Sequence, residues 1–207
     1  MDGLTATGVS AYRALSKAEL RSGKQDREAF LRLPRRPITV VLDGVRQNYN
    51  LGAIFRLCDA FLVERLIICG TRVELHKRKL VQAARGTQRW EPWRHRARAS
   101  DAIDETRSAG AWIVAAEQTT ASVAPERLAP RFPACLILGS EEGGVSAEAV
   151  AGVDAAVAIP MLGMANSLNV ASTAAILIHW LSLQCSGELD AGSGREQNDR
   201  FCRMRPS

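Results

Sequence analysis

Residues 134–169 read ACLILGSEEGGVSAEAVAGVDAAVAIPMLGMANSLN, and this stretch decides the fold. Ala134 to Leu138 is a short unbroken apolar run, the pattern of a strand buried on both faces of a parallel sheet. A loop dense in glycine and carboxylate follows from Gly139 to Gly144, then a short helix near Ser146 to Val150 and a second strand at Ala155 to Ile159. The loop from Pro160 to Leu168 leads into an apolar helix from Asn169 to Gln184, whose first turn Ser167 or Asn169 is suited to cap. The same alternation runs upstream. Ile38 to Leu42 and Leu66 to Cys69 read as strands around a helix over Asn50 to Val63, with Leu51, Ile54, Leu57, Cys58 and Phe61 on one face. His76 to Ala84 reads as a basic helix, and Ser100 to Ala109 as another, with Ser100 as N-cap and Gly110 as its C-terminal glycine. Ala111 to Ala116 is a further strand. Strands alternating with helices imply an α/β fold, a mostly parallel sheet with helices on both faces.

Composition fits that fold. Of 207 residues, 46% are apolar, 24% charged and 5% aromatic, which excludes disordered, collagenous and disulfide-stapled classes. No apolar stretch approaches the roughly 18 to 20 residues of a membrane-spanning helix, and Met1 to Ser10 lacks a basic-then-apolar signal pattern. Five scattered cysteines fit reduced thiols in a cytoplasm, so a cytoplasmic protein without membrane contact is expected. Three scattered histidines offer no metal-ligand spacing; no metal is expected, and His179 reads as a packed core residue.

The net charge of +5 is unevenly spread. Residues 1–37 carry eight Lys/Arg against four acids, and residues 71–98 carry nine against Glu74 and Glu91. Residues 99–184 are net acidic. Nine cations interleaved with Trp90 and Trp93 suit a polyanion with stackable bases, the alternative being a solvated helix face over two core tryptophans. Three segments follow: a basic N-terminal extension over 1–37, an α/β domain over 38–184, and a Gly-, Asp- and Arg-rich flexible tail over 185–207.

The phosphate-binding loop of nucleotide hydrolases, the dinucleotide glycine fingerprint and the hydrolase nucleophile elbow are all missing. What the chain has instead is three strand exits rich in small and polar residues, where open α/β sheets bind ligands. The first runs from Asp43 to Gly52 and leads to Arg56 one helical turn on; the second is Gly139 to Gly144; the third is Ile159 to Asn169. Together they resemble the SpoU, or TrmH, family of RNA ribose 2′-O-methyltransferases within the SPOUT superfamily, over about Ile38 to Gln184. Asn50, Gly52 and Arg56 resemble the family's first motif. Gly139, Glu141 and Gly144 resemble its second; Ile159-Pro160-Met161 and Ser167-Leu168-Asn169-Val170 its third. Ala171 departs from a common serine, and Tyr49 from a common polar residue.

The resemblance implies S-adenosyl-L-methionine as methyl donor, a C-terminal trefoil knot around the donor pocket, a homodimer, and an RNA substrate, with tRNA favoured over rRNA. It assigns Arg56, Asn50, Glu141, Ser167 and Asn169 to catalysis. Donor binding falls to Leu138, Gly139, Gly144, Ile159, Pro160, Met161, Ser167 and Leu168, with Leu138, Ile159, Met161 and Leu168 as adenine walls. In this reading Asn50 orients Arg56 or the ribose, and Glu141 pairs with Arg56 or Asn169. Lys77, Arg78, Lys79, Arg85 and Arg89 are the expected RNA contacts, because the chain shows no sizeable recognition domain before Ile38. Two other classes are a non-catalytic RNA-binding protein, opposed by the intact motif residues, and a dinucleotide oxidoreductase, opposed by the missing fingerprint.

Overall fold

The computed structural model describes residues 13–22, 24 and 26–185; the tail expected over 185–207 lies, apart from Cys185, outside them. The chain divides into two compact units at the Leu33–Pro34 junction. The first holds two short helices, α1 (Lys17–Ser22) and α2 (Arg27–Leu31). Each begins on a side-chain cap. The Glu19 amide donates to Ser16 Oγ at 3.3 Å and the Ser16 amide to the Glu19 carboxylate at 2.8 Å, while Asp26 Oδ1 accepts from the Ala29 amide at 2.9 Å.

The second unit is an α/β sheet. Strands β1 (Arg36–Asp43), β2 (Val63–Cys69), β3 (Trp93–Arg96), β4 (Trp112–Ala116), β5 (Ala134–Gly139) and β6 (Ala155–Val157) lie in the order β3-β2-β1-β5-β4-β6, every pair parallel. The period of two along each strand divides the core. Ile38, Val40, Leu42, Leu66, Ile68, Leu136 and Leu138 face helices α3 (Asn48–Ala60), α4 (Arg78–Ala84) and α7 (Val170–Gln184). Val41, Ile67, Ile113, Cys135 and Ile137 face α5 (Ala99–Ser108) and α6 (Ala147–Ala151). Helices therefore cover both faces, which is why the central strands read as continuous apolar runs. Gly52 sets the α3–α4 spacing, because a Cβ there would overlap the Leu80 carbonyl oxygen.

Several boundaries differ from the expectation, each for a physical reason. β3 escapes pattern reading because an edge strand of sequence WRHR has no apolar run; it is held by pairing with β2. β6 ends at Val157, since the Ala158 amide turns to the Val123 carbonyl at 2.9 Å and Ile159 is left to line a cleft. Ser100 does not cap α5: its buried Oγ has no hydrogen-bond partner, and the helix starts one residue earlier, where Asp101 accepts from the Arg98 amide at 3.2 Å. His179 is exposed rather than core, its ring 5.6 Å from that of Phe61.

Candidate active site

The order of strands places a topological switch point between β1 and β5. Connections leave these neighbours in opposite directions, opening a crevice at their carboxyl ends. Asp43, the last residue of β1, accepts from the Ser146 amide at 2.8 Å and ties the two exits together. Three polar side chains from three loops then meet. Asn50, in the first turn of α3 and 1% exposed, donates through Nδ2 to Glu141 Oε1, and at 3.4 Å to Gln47. Its Oδ1 accepts from Asn169 Nδ2 at 3.2 Å. Asn169 is also the N-cap of α7, its Oδ1 taking the Ala171 amide at 2.9 Å. Cap and site residue are one and the same, with the two ends of one amide doing the two tasks.

This network corrects the expected pairing. Glu141 is partnered by Asn50 and not by Arg56 or Asn169, and Asn50 does not hold Arg56. Arg56 is exposed on α3 and makes no side-chain hydrogen bond or ion pair among the described residues. The reason is reach: Asn50 sits in the buried first turn, whereas Arg56 lies almost two turns on, on the solvent face.

A cleft of about 260 Å³ lies against the carboxyl ends of β4, β5 and β6. Of the expected donor residues, Leu138, Gly139, Gly144, Ile159, Met161, Ser167 and Leu168 line it, and so does Glu141; Pro160 is absent from its lining. Its floor is a folded-back turn. The Ser140 amide donates to Gly144 O at 3.1 Å and the Gly144 amide to Ser140 O at 2.9 Å. Gly144 sits at φ +63°, and a Cβ on Gly139 would overlap the Gly144 backbone, so both positions need glycine. Arg56 and Asn169 line a separate hollow of about 620 Å³ with Tyr49, Lys79 and Arg85. The Asn50–Glu141–Asn169 network stands between cleft and hollow, since Glu141 borders the first and Asn169 the second.

Glu117 and Gln118, at the exit of β4, are site residues that sequence reasoning missed. Glu117 takes the Val145 amide on Oε2 at 2.7 Å and the Gln118 amide on Oε1 at 2.9 Å; Gln118 donates to the Asn166 carbonyl at 2.5 Å. Both line the cleft. The signal was available: a fourth polar strand exit, EQTT, directly after a strand.

The basic stretch is also divided by the fold. Arg94 and Arg96, on β3, close on Glu105 of α5 at 2.5 and 2.6 Å, and Arg65 joins them at 3.3 Å. Arg98 lies 3.3 Å from Asp101, and Lys77 3.1 Å from Glu74. Arg78, Lys79, Arg85 and Arg89 are exposed and form no ion pair among the described residues. Both tryptophans are half-buried and tied into the fold. Trp90 Nε1 donates to Asp59 at 2.8 Å, and Trp93 stands edge-on to Phe55 with ring centroids 6.1 Å apart.

Residues 37–179 match the model of the SpoU rRNA Methylase family. The chain belongs to this family. It is 30% identical over 144 residues to the tRNA (guanosine(18)-2′-O)-methyltransferase of Escherichia coli K12, an alignment covering 69% of this chain and 61% of that protein. Among solved structures, the A. aeolicus TrmH/SpoU tRNA modifying enzyme is 28% identical, with a TM-score of 0.67 over 86% of this chain and 85% of that one. The AdoMet-bound rRNA methyltransferase from Sinorhizobium meliloti is 28% identical, with a TM-score of 0.66 over 77% of this chain and 60% of that one. The chain thus spans about three fifths of the Escherichia coli relative. The three motif loops are the segments that build the cleft and the network, so family membership and site geometry fall on the same residues.

Proposed function

We propose that this chain transfers a methyl group from S-adenosyl-L-methionine to a ribose 2′-hydroxyl of RNA, with tRNA favoured over rRNA. The observation that carries the reading is the Asn50–Glu141–Asn169 network, which joins the three motif loops at the boundary between an apolar-walled cleft and a hollow holding an unpaired arginine. The cleft suits a nucleoside-bearing donor. Leu138, Ile159 and Leu168 provide apolar walls, the Gly139 and Met161 backbones can meet an adenine edge, and Ser167 can meet the amino-acid end. The donor, when bound, supplies an electrophilic methyl group on a sulfonium.

The chain's own residues then position the acceptor. In-line transfer gains most from holding the two reactants in one geometry, which is the task of the rigid network. Arg56 is suited to clamp a neighbouring phosphate and the alkoxide that develops as the ribose proton leaves. It is not the base, because a guanidinium hardly deprotonates in proteins. Asn50 orients the site by holding Glu141 on its Nδ2 and Asn169 on its Oδ1, and Ser167 borders the cleft on the donor side.

Further parts of the reading follow. The segment from β6 to α7 runs over the cleft, and Asn166 in it is tied back to Gln118; we read it as the thread of a trefoil knot. A homodimer accounts for the outer face of α7, where Ile176 is 43% and Leu183 60% exposed, and for Leu162 and Met164, both fully exposed. Lys77, Arg78, Lys79, Arg85 and Arg89 are the proposed RNA contacts. The buried free thiols Cys58, Cys69 and Cys135 fit a reducing cytoplasm. We keep residues 1–37 as a basic extension to the catalytic domain over 38–184.

The test is incorporation of label from methyl-labelled donor into bulk tRNA, and separately rRNA, followed by mapping of ribose methylation. A new 2′-O-methyl position in tRNA is the expected result. Binding of RNA and donor with no transfer to either RNA rejects the enzyme reading in favour of a non-catalytic RNA-binding protein.

A further inference from the structure

Glu117 stands where a bound nucleoside would meet it. Ala116 is level with Leu138 on one side and Val157 on the other, and all three line the cleft. Glu117 is the next residue beyond that row, level with the end of β5, and its amide is held by Val157 O at 3.1 Å. Each carboxylate oxygen takes one backbone amide, from Gln118 and from Val145. A carboxylate has about four lone-pair sites, so acceptor capacity remains after both bonds. Among the described residues, no Lys, Arg or His lines the cleft to take it up. Of the other polar side chains nearby, Ser140 Oγ accepts the Gly143 amide, Gln118 donates to Asn166, and Glu141 accepts from Asn50 in the network, while Ser167 and Thr173 bring only uncharged hydroxyls to the cleft.

We propose that Glu117 is the acceptor for the ribose hydroxyls of the methyl donor, and that the same carboxylate holds the Gly139–Val145 turn in place beneath it. The inference rests on the donor reading above. A carboxylate at a strand exit taking a ribose diol is established chemistry in nucleotide-binding sheets, where the hydroxyls donate and the carboxylate accepts. The two amide bonds serve that role by fixing the carboxylate, so little is lost in ordering it when the diol arrives. Gly144 makes the arrangement possible, because a Cβ at that position would overlap the Glu117 carboxylate.

The test compares two ligands on the full chain by calorimetry: S-adenosylhomocysteine, and the same molecule lacking both ribose hydroxyls. The wild-type chain should prefer the diol by about 10- to 100-fold, as expected for hydrogen bonds to a charged group. Glu117→Gln keeps an acceptor for the Val145 amide but loses the charge. It should bind the diol ligand about 10-fold more weakly and the dideoxy ligand within about 2-fold of wild type. Equal loss of both ligands in Glu117→Gln overturns the proposal, because a carboxylate that only tethers the turn, or that meets the amino-acid end, has no reason to distinguish them. Equal binding of both ligands by the wild-type chain overturns it without any variant, so folding of the variant is not the deciding point. Binding of neither ligand by wild type rejects the donor reading itself, and Glu117's role with it.

Discussion

The two sides of the crevice treat their polar groups in opposite ways. On the β4–β6 side, Glu117, Gln118, Ser140, Glu141 and Asn169 all have hydrogen-bond partners within the protein, and the surrounding segment is net acidic. On the α3–α4 side, Arg56, Lys79 and Arg85 border a hollow and form no ion pair among the described residues. Pre-paired groups hold a fixed shape at little cost on binding, whereas unpaired surface cations await an outside anion. A donor pocket should be rigid and a polyanion surface unsatisfied, and the contrast matches that division.

The largest effect expected from breaking the contrast is at Arg56. Arg56→Ala should lower the methyl-transfer rate by roughly 10²- to 10³-fold, the scale for losing one donor to a developing oxyanion, with donor affinity nearly unchanged. Arg56→Lys should be almost as poor, since a point charge does not reproduce a planar fork. Single-turnover rates beside donor calorimetry check both, and full activity in either variant removes Arg56 from the mechanism.

Asn50 sharpens the comparison, because it belongs to the pre-paired side although it sits on α3. Asn50→Ala leaves Glu141 and Asn169 without their shared partner at a buried position. A loss of about 1–3 kcal/mol is expected, read as a fall in melting temperature of about 2–4 °C per kcal/mol. Unlike Arg56→Ala, it should weaken donor binding as well as the rate. Donor affinity equal to wild type would show that the network does not shape the cleft.

The cation side predicts a smaller, salt-dependent change. Neutralising Arg78, Lys79 and Arg85 together should flatten the salt dependence of RNA binding by up to about 0.7 to 0.9 log units of slope per lost contact, leaving donor affinity alone. Lys77 is the weaker choice, being already held by Glu74. Neutralising Arg94 and Arg96 is the control: these belong to Glu105 and should cost stability instead of slope. An unaltered slope in the triple variant makes α4 a solvated face.

The smallest effect concerns pH. Burial raises the Asp154 carboxyl, but the Ile113 amide, at 2.7 Å, and the Arg107 guanidinium, at 3.0 Å, outweigh it and hold its pKa below the usual range. A lowered folded-state pKa means that the stabilisation is present above the unfolded carboxyl pKa of about 3.9 and is lost as pH falls through the folded value. Asp154→Asn should therefore make the melting temperature less steep below about pH 4. Identical acid limbs would show that this tie between β4 and the β6 entrance contributes nothing.

Much of the fold was legible locally. Four of the five strands found by pattern are apolar runs buried on both faces, the edge strand β6 being the exception, and their alternation with helices implied a parallel sheet. Gly52, Gly139 and Gly144 stood in recognisable motifs, and the structure supplies their steric reasons. β3 was illegible because it has no apolar run and its arginines are satisfied by Glu105 of the helix packed against it, α5. The tryptophans were ambiguous for a similar reason: that Trp90 bonds to Asp59 depends on where a segment 31 residues earlier is folded.

By itself, then, the sequence determined the strand and helix inventory, the glycine turns, the family and the residue types at the strand exits. These depend on periodicity and on backbone sterics, which act over a few neighbouring residues. The tertiary structure alone decided that Asn50 meets Glu141 across 91 residues and Asn169 across 119, that Glu117 enters the cleft, and that the basic stretch divides into paired and unpaired cations. Hydrogen bonds and ion pairs form at about 3 Å and require direction, so strand order and register choose the partners among many side chains of equal chemistry.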